Sequence, residues 1–170
     1  MIDFPAGHGH GSGYLVAPEG GDVPGVLVIH AWWGLNRFFR RFCDRLAENG
    51  FVVLAPDLYH GTVVSTISGA DHLSSKLKRT VVERELNGAV NYLRTTFATN
   101  ECKIGVVGFS IGANFGLWLA TARPNDVAAV VAFYGTRYEN YEKARATFLG
   151  HFAEKDEWEP LDSVKRLEEL

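Results

Sequence analysis

Cysteine is nearly absent from this 170-residue chain. Two residues, Cys43 and Cys102, exclude a disulfide-built scaffold and a cysteine-based zinc site. No basic excess exists either. Lys and Arg number 17 against 20 Asp and Glu, a net charge of -3, so the field that would hold nucleic acid or an anionic membrane surface is missing. Long apolar runs are missing too, and stretches such as Val127–Tyr134 are too short to span a bilayer. The first residues, Met1–Gly13, carry neither the basic cluster nor the apolar stretch of a secretory signal. A reducing, cytoplasmic setting is therefore expected, with no membrane and no nucleic-acid partner. Nucleotide binding lacks a motif. Gly105, Gly108 and Gly112 do not fit G-x-G-x-x-G, and G-x-x-x-x-G-K-[ST] does not occur. His8 and His10 have no third ligand at fixed spacing, so no metal and no cofactor are expected.

What is present is a globular composition. The chain is 46% hydrophobic, 12% aromatic and 22% charged, enough to bury one sizeable core, and residues 1–170 are expected to form a single domain. Met1–Gly13, rich in Gly and His, reads as a loose lead-in. Tyr14–Ala17 reads as a short edge strand. Gly25–His30 and Phe51–Leu54 read as buried strands, and Lys103–Gly108, Val127–Tyr134 and Ala146–Ala153 as further strands. Between them lie helix-period segments. Asn36 caps the first, whose apolar stripe holds Phe39, Phe42, Cys43, Leu46 and Ala47 and which stops at Gly50. A second stripe begins after Thr80, with Val82, Leu86, Ala89, Val90 and Leu93. Ile111–Arg123 is a third helix. Thr62–Ser75 reads as a loop or weak helix, Glu139–Ala146 as a short helix, and Pro160–Leu170 as a helix opened by proline. Such alternation predicts an α/β fold, a mostly parallel sheet with helices on both faces and with chemistry at the strand C-terminal ends.

The strongest signal at those ends is Gly108-Phe109-Ser110-Ile111-Gly112, which matches G-x-S-x-G between a strand and a helix. That context forces a sharp turn with Ser110 exposed at its apex, a nucleophile at the positive end of a helix. The backbone N–H of Ile111 is then a natural oxyanion donor. His30-Ala31-Trp32-Trp33-Gly34 follows the first buried strand and can supply the second donor, with Trp32 the best candidate. His30 closes a strand and reads as structural, while Trp33 can wall a pocket. Asp156 follows the last strand, where an acid can orient a catalytic histidine. His60 and His72 read as solvated, and Cys43 as core.

Together these stretches resemble the dienelactone hydrolase family within the α/β-hydrolase fold. The matching segments are VLVIHAWWGL (26–35), DRLAENGFVVLAPDLYHG (44–61), KIGVVGFSIGA (103–113) and HFAEKDEWEP (151–160). The resemblance implies Ser110 as nucleophile, Asp156 as the triad acid, oxyanion N–H groups from Trp32 and Ile111, and a substrate pocket that includes Trp33, Tyr59 and Trp158. It implies a serine esterase acting, as monomer or homodimer, on a small ester, lactone or thioester. Several positions depart from the family. Its dienelactone hydrolases carry a cysteine where Ser110 stands and a glutamate at Ala31, and they place a basic carboxylate binder near His60-Gly61. The family's histidine lies beyond the acid, but none of the six here (8, 10, 30, 60, 72 and 151) follows Asp156. The chain is therefore expected to lack the C-terminal strand, histidine loop and helix, and to be a poor catalyst as it stands. A non-catalytic binding protein is the alternative reading.

Overall fold

The computed structural model describes residues 1–19, 23–97 and 103–169, so Cys102 lies outside the described residues. Their strands are β1 (Ile2–Ala6), β2 (Gly9–Val16), β3 (Gly25–Ile29), β4 (Val52–Pro56), β5 (Ile104–Phe109), β6 (Val127–Phe133) and β7 (Thr147–His151). Their helices are α1 (Arg37–Glu48), α2 (Ile67–Lys76), α3 (Arg79–Thr96), α4 (Ile111–Ala122) and α5 (Leu161–Glu168). The strands form one sheet in the order β1-β2-β4-β3-β5-β6-β7. From β4 to β7 every neighbouring pair is parallel, while β2 runs antiparallel to both β1 and β4.

Because successive side chains on a strand point to opposite faces, one apolar run feeds two cores. Leu27 and Ile29 of β3 enter a cluster with Leu86 and Leu93 of α3 and Leu117 of α4. Val26 and Val28 enter the other, with Phe39 and Cys43 of α1 and Phe109 of β5. Burying a Leu, Ile or Phe side chain of this kind stabilises the fold by about 1.5–3 kcal/mol. Both faces are covered along β4, β3 and β5, whereas β7 is exposed at all five residues, and the C-terminal ends of the parallel strands emerge together along one edge.

Three readings from sequence change, and at Thr62–Ser75 one of two alternatives is selected. Met1–Gly13 is not a loose lead-in. It forms the β1–β2 hairpin, in register from Ile2 opposite Gly13 to Ala6 opposite Gly9. Ile2, Phe4 and Ala6 alternate inward, and Phe4 and Ala6 are fully buried. The strand at Tyr14 starts earlier, at Gly9, and is internal because β1 covers it. Within Thr62–Ser75 a helix does form, α2, started by Thr66, whose Oγ1 accepts the Gly69 N–H at 3.2 Å. Glu139–Ala146 is a loop, not a helix. Asn140 Oδ1 accepts the Glu142 N–H at 2.9 Å and the Tyr141 hydroxyl donates to the Arg137 carbonyl at 2.9 Å. Short polar side chains that satisfy nearby backbone compete with helix formation in this way. Among the described residues no helix is long and apolar enough to cross a membrane.

Candidate active site

β5 ends at Phe109 and α4 begins at Ile111, leaving a single residue for the turn. Ser110 adopts φ 54° and ψ -118°, a conformation that costs a non-glycine residue about 1–3 kcal/mol. Its surroundings fix it. The Ser110 N–H donates to the Phe133 carbonyl at 2.9 Å, and its carbonyl accepts from the Ala113 and Asn114 N–H groups at 2.9 and 3.1 Å. The motif glycines make room for it. A Cβ on Gly112 would lie 2.3 Å from the Ile29 carbonyl oxygen, and one on Gly108 would lie 2.3 Å from that of Gly112. The N–H of Ile111 belongs to the first turn of α4, which has no intrahelical acceptor for it.

β3 delivers His30 into the core, where it is fully buried. Its Nε2 accepts the Leu58 N–H at 3.1 Å, so the ring proton sits on Nδ1 and is donated to the Ala31 carbonyl at 2.7 Å. Both ring nitrogens are thus occupied in holding the loops after β3 and β4 together, a structural use that leaves no lone pair for proton transfer. Burial pushes its pKa below the ordinary value of 6.5. Below about pH 6.5 the unfolded chain takes up a proton there that the folded chain refuses, so stability falls as pH drops from that value towards the folded pKa. In urea titrations between pH 7 and 5, His30→Gln should remove up to about 1.4 kcal/mol per pH unit of the wild-type slope. An unchanged slope would show that His30 charges freely in the fold.

After His30 the chain turns, with the Gly34 N–H donating to the Ala31 carbonyl at 3.2 Å. The turn presents Trp32 and Trp33 edge to face, their ring centroids 5.4 Å apart, and Trp158 stands edge-on to Trp32 at 5.5 Å. These three rings wall a cavity of about 740 Å³ that also contains Ser110 and Ile111. Ser110, Trp32, Trp33, Ile111 and Trp158 are therefore brought together.

Asp156 is not among the residues that line this cavity. Its Oδ1 accepts the N–H groups of Trp158 and Glu159 at 2.8 and 3.1 Å, which shapes the loop that carries both residues into the cavity. Tyr59 is not brought there. Asp57 accepts the Tyr59 and Gly61 N–H groups at 3.2 and 2.8 Å and turns the chain inward. Tyr59 packs on His30 at 5.3 Å, lines a separate hollow with Leu58 and Leu73, and has its phenol pushed up to about 12 by burial. Cys43 is a core residue whose thiol burial likewise pushes up to about 12. Among the described residues lining the Ser110 cavity there is no histidine. His151 ends β7 stacked on Phe133 at 4.6 Å.

Sequence reasoning missed Glu159, Thr136, Asn114 and Arg137, which also line the cavity. The Glu159 carboxylate accepts the Thr136 N–H at 3.0 Å and its hydroxyl at 2.6 Å, joining the acid loop to the segment after β6. Arg137 donates to Asn114 Oδ1 at 2.9 Å and to Glu139 at 2.6 Å. The signal available was position. Tyr134–Arg137 follows a strand at the same sheet edge as Ser110, and Tyr134 itself has φ 42°.

The family model described as Dienelactone hydrolase family matches residues 12–170. The chain belongs to the dienelactone hydrolase family. It is a hydrolase by that membership, and its fold is the family's α/β-hydrolase sheet. Protein usf of Aquifex pyrophilus is 32% identical over 174 residues, covering 96% of this chain and 74% of that protein. The carboxymethylenebutenolidase of Rhodococcus opacus is 32% identical over 111 residues, covering 61% of this chain and 41% of that one. Among solved structures, a dienelactone hydrolase-like promiscuous phosphotriesterase from metagenomic libraries superposes with a TM-score of 0.82. It has 23% identity and covers 99% of this chain and 73% of its own, a likeness that bears on the fold. Within the family, this chain places serine at the elbow and alanine directly after the strand-end histidine.

Proposed function

We propose that the chain is a serine hydrolase that cleaves a small carboxylic ester, lactone or thioester through an acyl-enzyme on Ser110. The observation that carries this is Ser110 itself, held at φ 54° at the head of α4 in the cavity shared with the loop after β3. The Ser110 hydroxyl attacks the substrate carbonyl carbon and gives its proton to an imidazole. The carbonyl oxygen becomes an oxyanion facing the N–H groups of Trp32 and Ile111. Collapse breaks the bond to the alcohol or thiol, which leaves with the proton, and water then releases the acid by the same route. Asp156 is the acid that would steady the imidazolium. Ala31, in place of the glutamate that serves a thiolate, suits an oxygen nucleophile.

The reaction needs an imidazole at the cavity, and among the described residues no histidine lines it. General-base assistance contributes about 10²–10⁴-fold. Free imidazole should therefore raise the protein-dependent hydrolysis of a short activated ester, after subtraction of the imidazole-only rate, by at least about 10-fold. A protein-dependent rate that ignores imidazole would contradict this mechanism. Ligand binding without turnover would favour the non-catalytic reading.

A further inference from the structure

Resting on the serine hydrolase reading, we infer that the preferred substrate is an uncharged aryl ester rather than a carboxylate-bearing lactone. The cavity wall is the first ground. Trp32, Trp33 and Trp158 are joined by Ile67, Ile111 and Phe115, so most of the surface beside Ser110 is aromatic or aliphatic. Flat apolar groups gain both area burial and ring contacts on such a wall.

Charge is the second ground. The two guanidinium groups lining the cavity are already matched. Arg79 Nε donates to Glu83 at 2.5 Å, and Arg137 donates to Glu139 at 2.6 Å and to Asn114 at 2.9 Å. Glu159 adds a further carboxylate to the lining. The lining thus carries two guanidinium groups, each already held by a carboxylate from outside it, and one carboxylate of its own, so an anionic substrate would have to displace a partner or stay unpaired. Displacing Glu139 from Arg137, whose side chain is 9% exposed, is the costly case. His60 offers no replacement. It lines the separate hollow with Tyr59, and its Nε2 lies 3.6 Å from the buried Glu85 carboxylate.

The test is binding, kept apart from turnover by the Ser110→Ala variant. Three of the chain's four tryptophans line the cavity, and Trp118 packs against the core from α4, so indole fluorescence reports on the site. Phenyl acetate and 4-carboxyphenyl acetate are titrated separately. The neutral ester should bind at least about 10-fold more tightly, the order expected for leaving one charge unpaired. Trp158→Ala, at a residue 74% exposed and hence safe for folding, should weaken the neutral ester about 5-fold. Equal or tighter binding of the carboxylated ester overturns the inference, as does the absence of any fluorescence response to the neutral one. Acylation of Ser110 by phenyl acetate in the wild-type chain with imidazole reports separately on the catalytic reading. Preference without acylation would sink the catalytic reading alone, and acylation without preference would sink the substrate inference alone.

Discussion

Ser110→Ala should abolish the imidazole-dependent part of ester hydrolysis, a loss of about 10²-fold or more in the protein-dependent rate, with the fold unchanged. Without the hydroxyl there is no group for the imidazole to deprotonate and no acyl-enzyme. On the proposed mechanism only water attack assisted by the Trp32 and Ile111 N–H groups would remain, and residual catalysis would be set by those donors and binding. The variant should keep its stability. Alanine is no better suited than serine to φ 54°, and the residue lines the cavity, so no packing is lost. Circular dichroism and a urea titration alongside the rates separate lost chemistry from lost structure. An imidazole response that survives in Ser110→Ala would remove the serine from the mechanism.

Gly112→Ala should cost about 3 kcal/mol or more of stability and cripple the site with it. The added methyl would stand 2.3 Å from the Ile29 carbonyl oxygen and 2.6 Å from that of His30. Neither is the mobile tip of a side chain. Ile29 ends β3, paired there with Gly108 of β5, and His30 follows it directly, so α4 must back away from the sheet and carry Ser110 out of line with Trp32. Gly105→Ala on β5 is the control. Its Cβ meets only a Val26 methyl, at 3.7 Å, and should change stability by less than about 0.5 kcal/mol. Urea midpoints of the two variants should differ accordingly. Equal midpoints would mean that the elbow is looser than the packing of Gly112 implies.

The readable parts of this molecule are those where one physical demand dominates a short stretch. β3, β4, β5 and β6 are covered on both faces, which leaves nearly continuous apolar runs such as Val26–Ile29 in the sequence. The elbow is legible because a one-residue turn between strand and helix needs glycine on both sides of Ser110. The β1–β2 hairpin was obscured because its alternating inward residues, Ile2, Phe4 and Ala6, are diluted by a partner strand of Gly, His and Ser. Tyr59 was misplaced because its family motif says nothing of direction, and the Asp57 turn decides it. The Glu159–Thr136 clasp joins residues 23 apart in two loops, with no local spacing to announce it. Sites of that kind emerge from the sheet order, which brings the ends of β6 and β7 side by side.

The most direct test of the account is to find where an acyl group lands. The wild-type chain is incubated with phenyl acetate and imidazole, quenched in acid, digested and mapped by mass spectrometry. One acetyl group should appear on Ser110 in the peptide spanning Ile104–Ala113, and it should be absent from the Ser110→Ala protein. No adduct, or an adduct elsewhere that Ser110→Ala leaves untouched, would contradict the claim that Ser110 is the nucleophile.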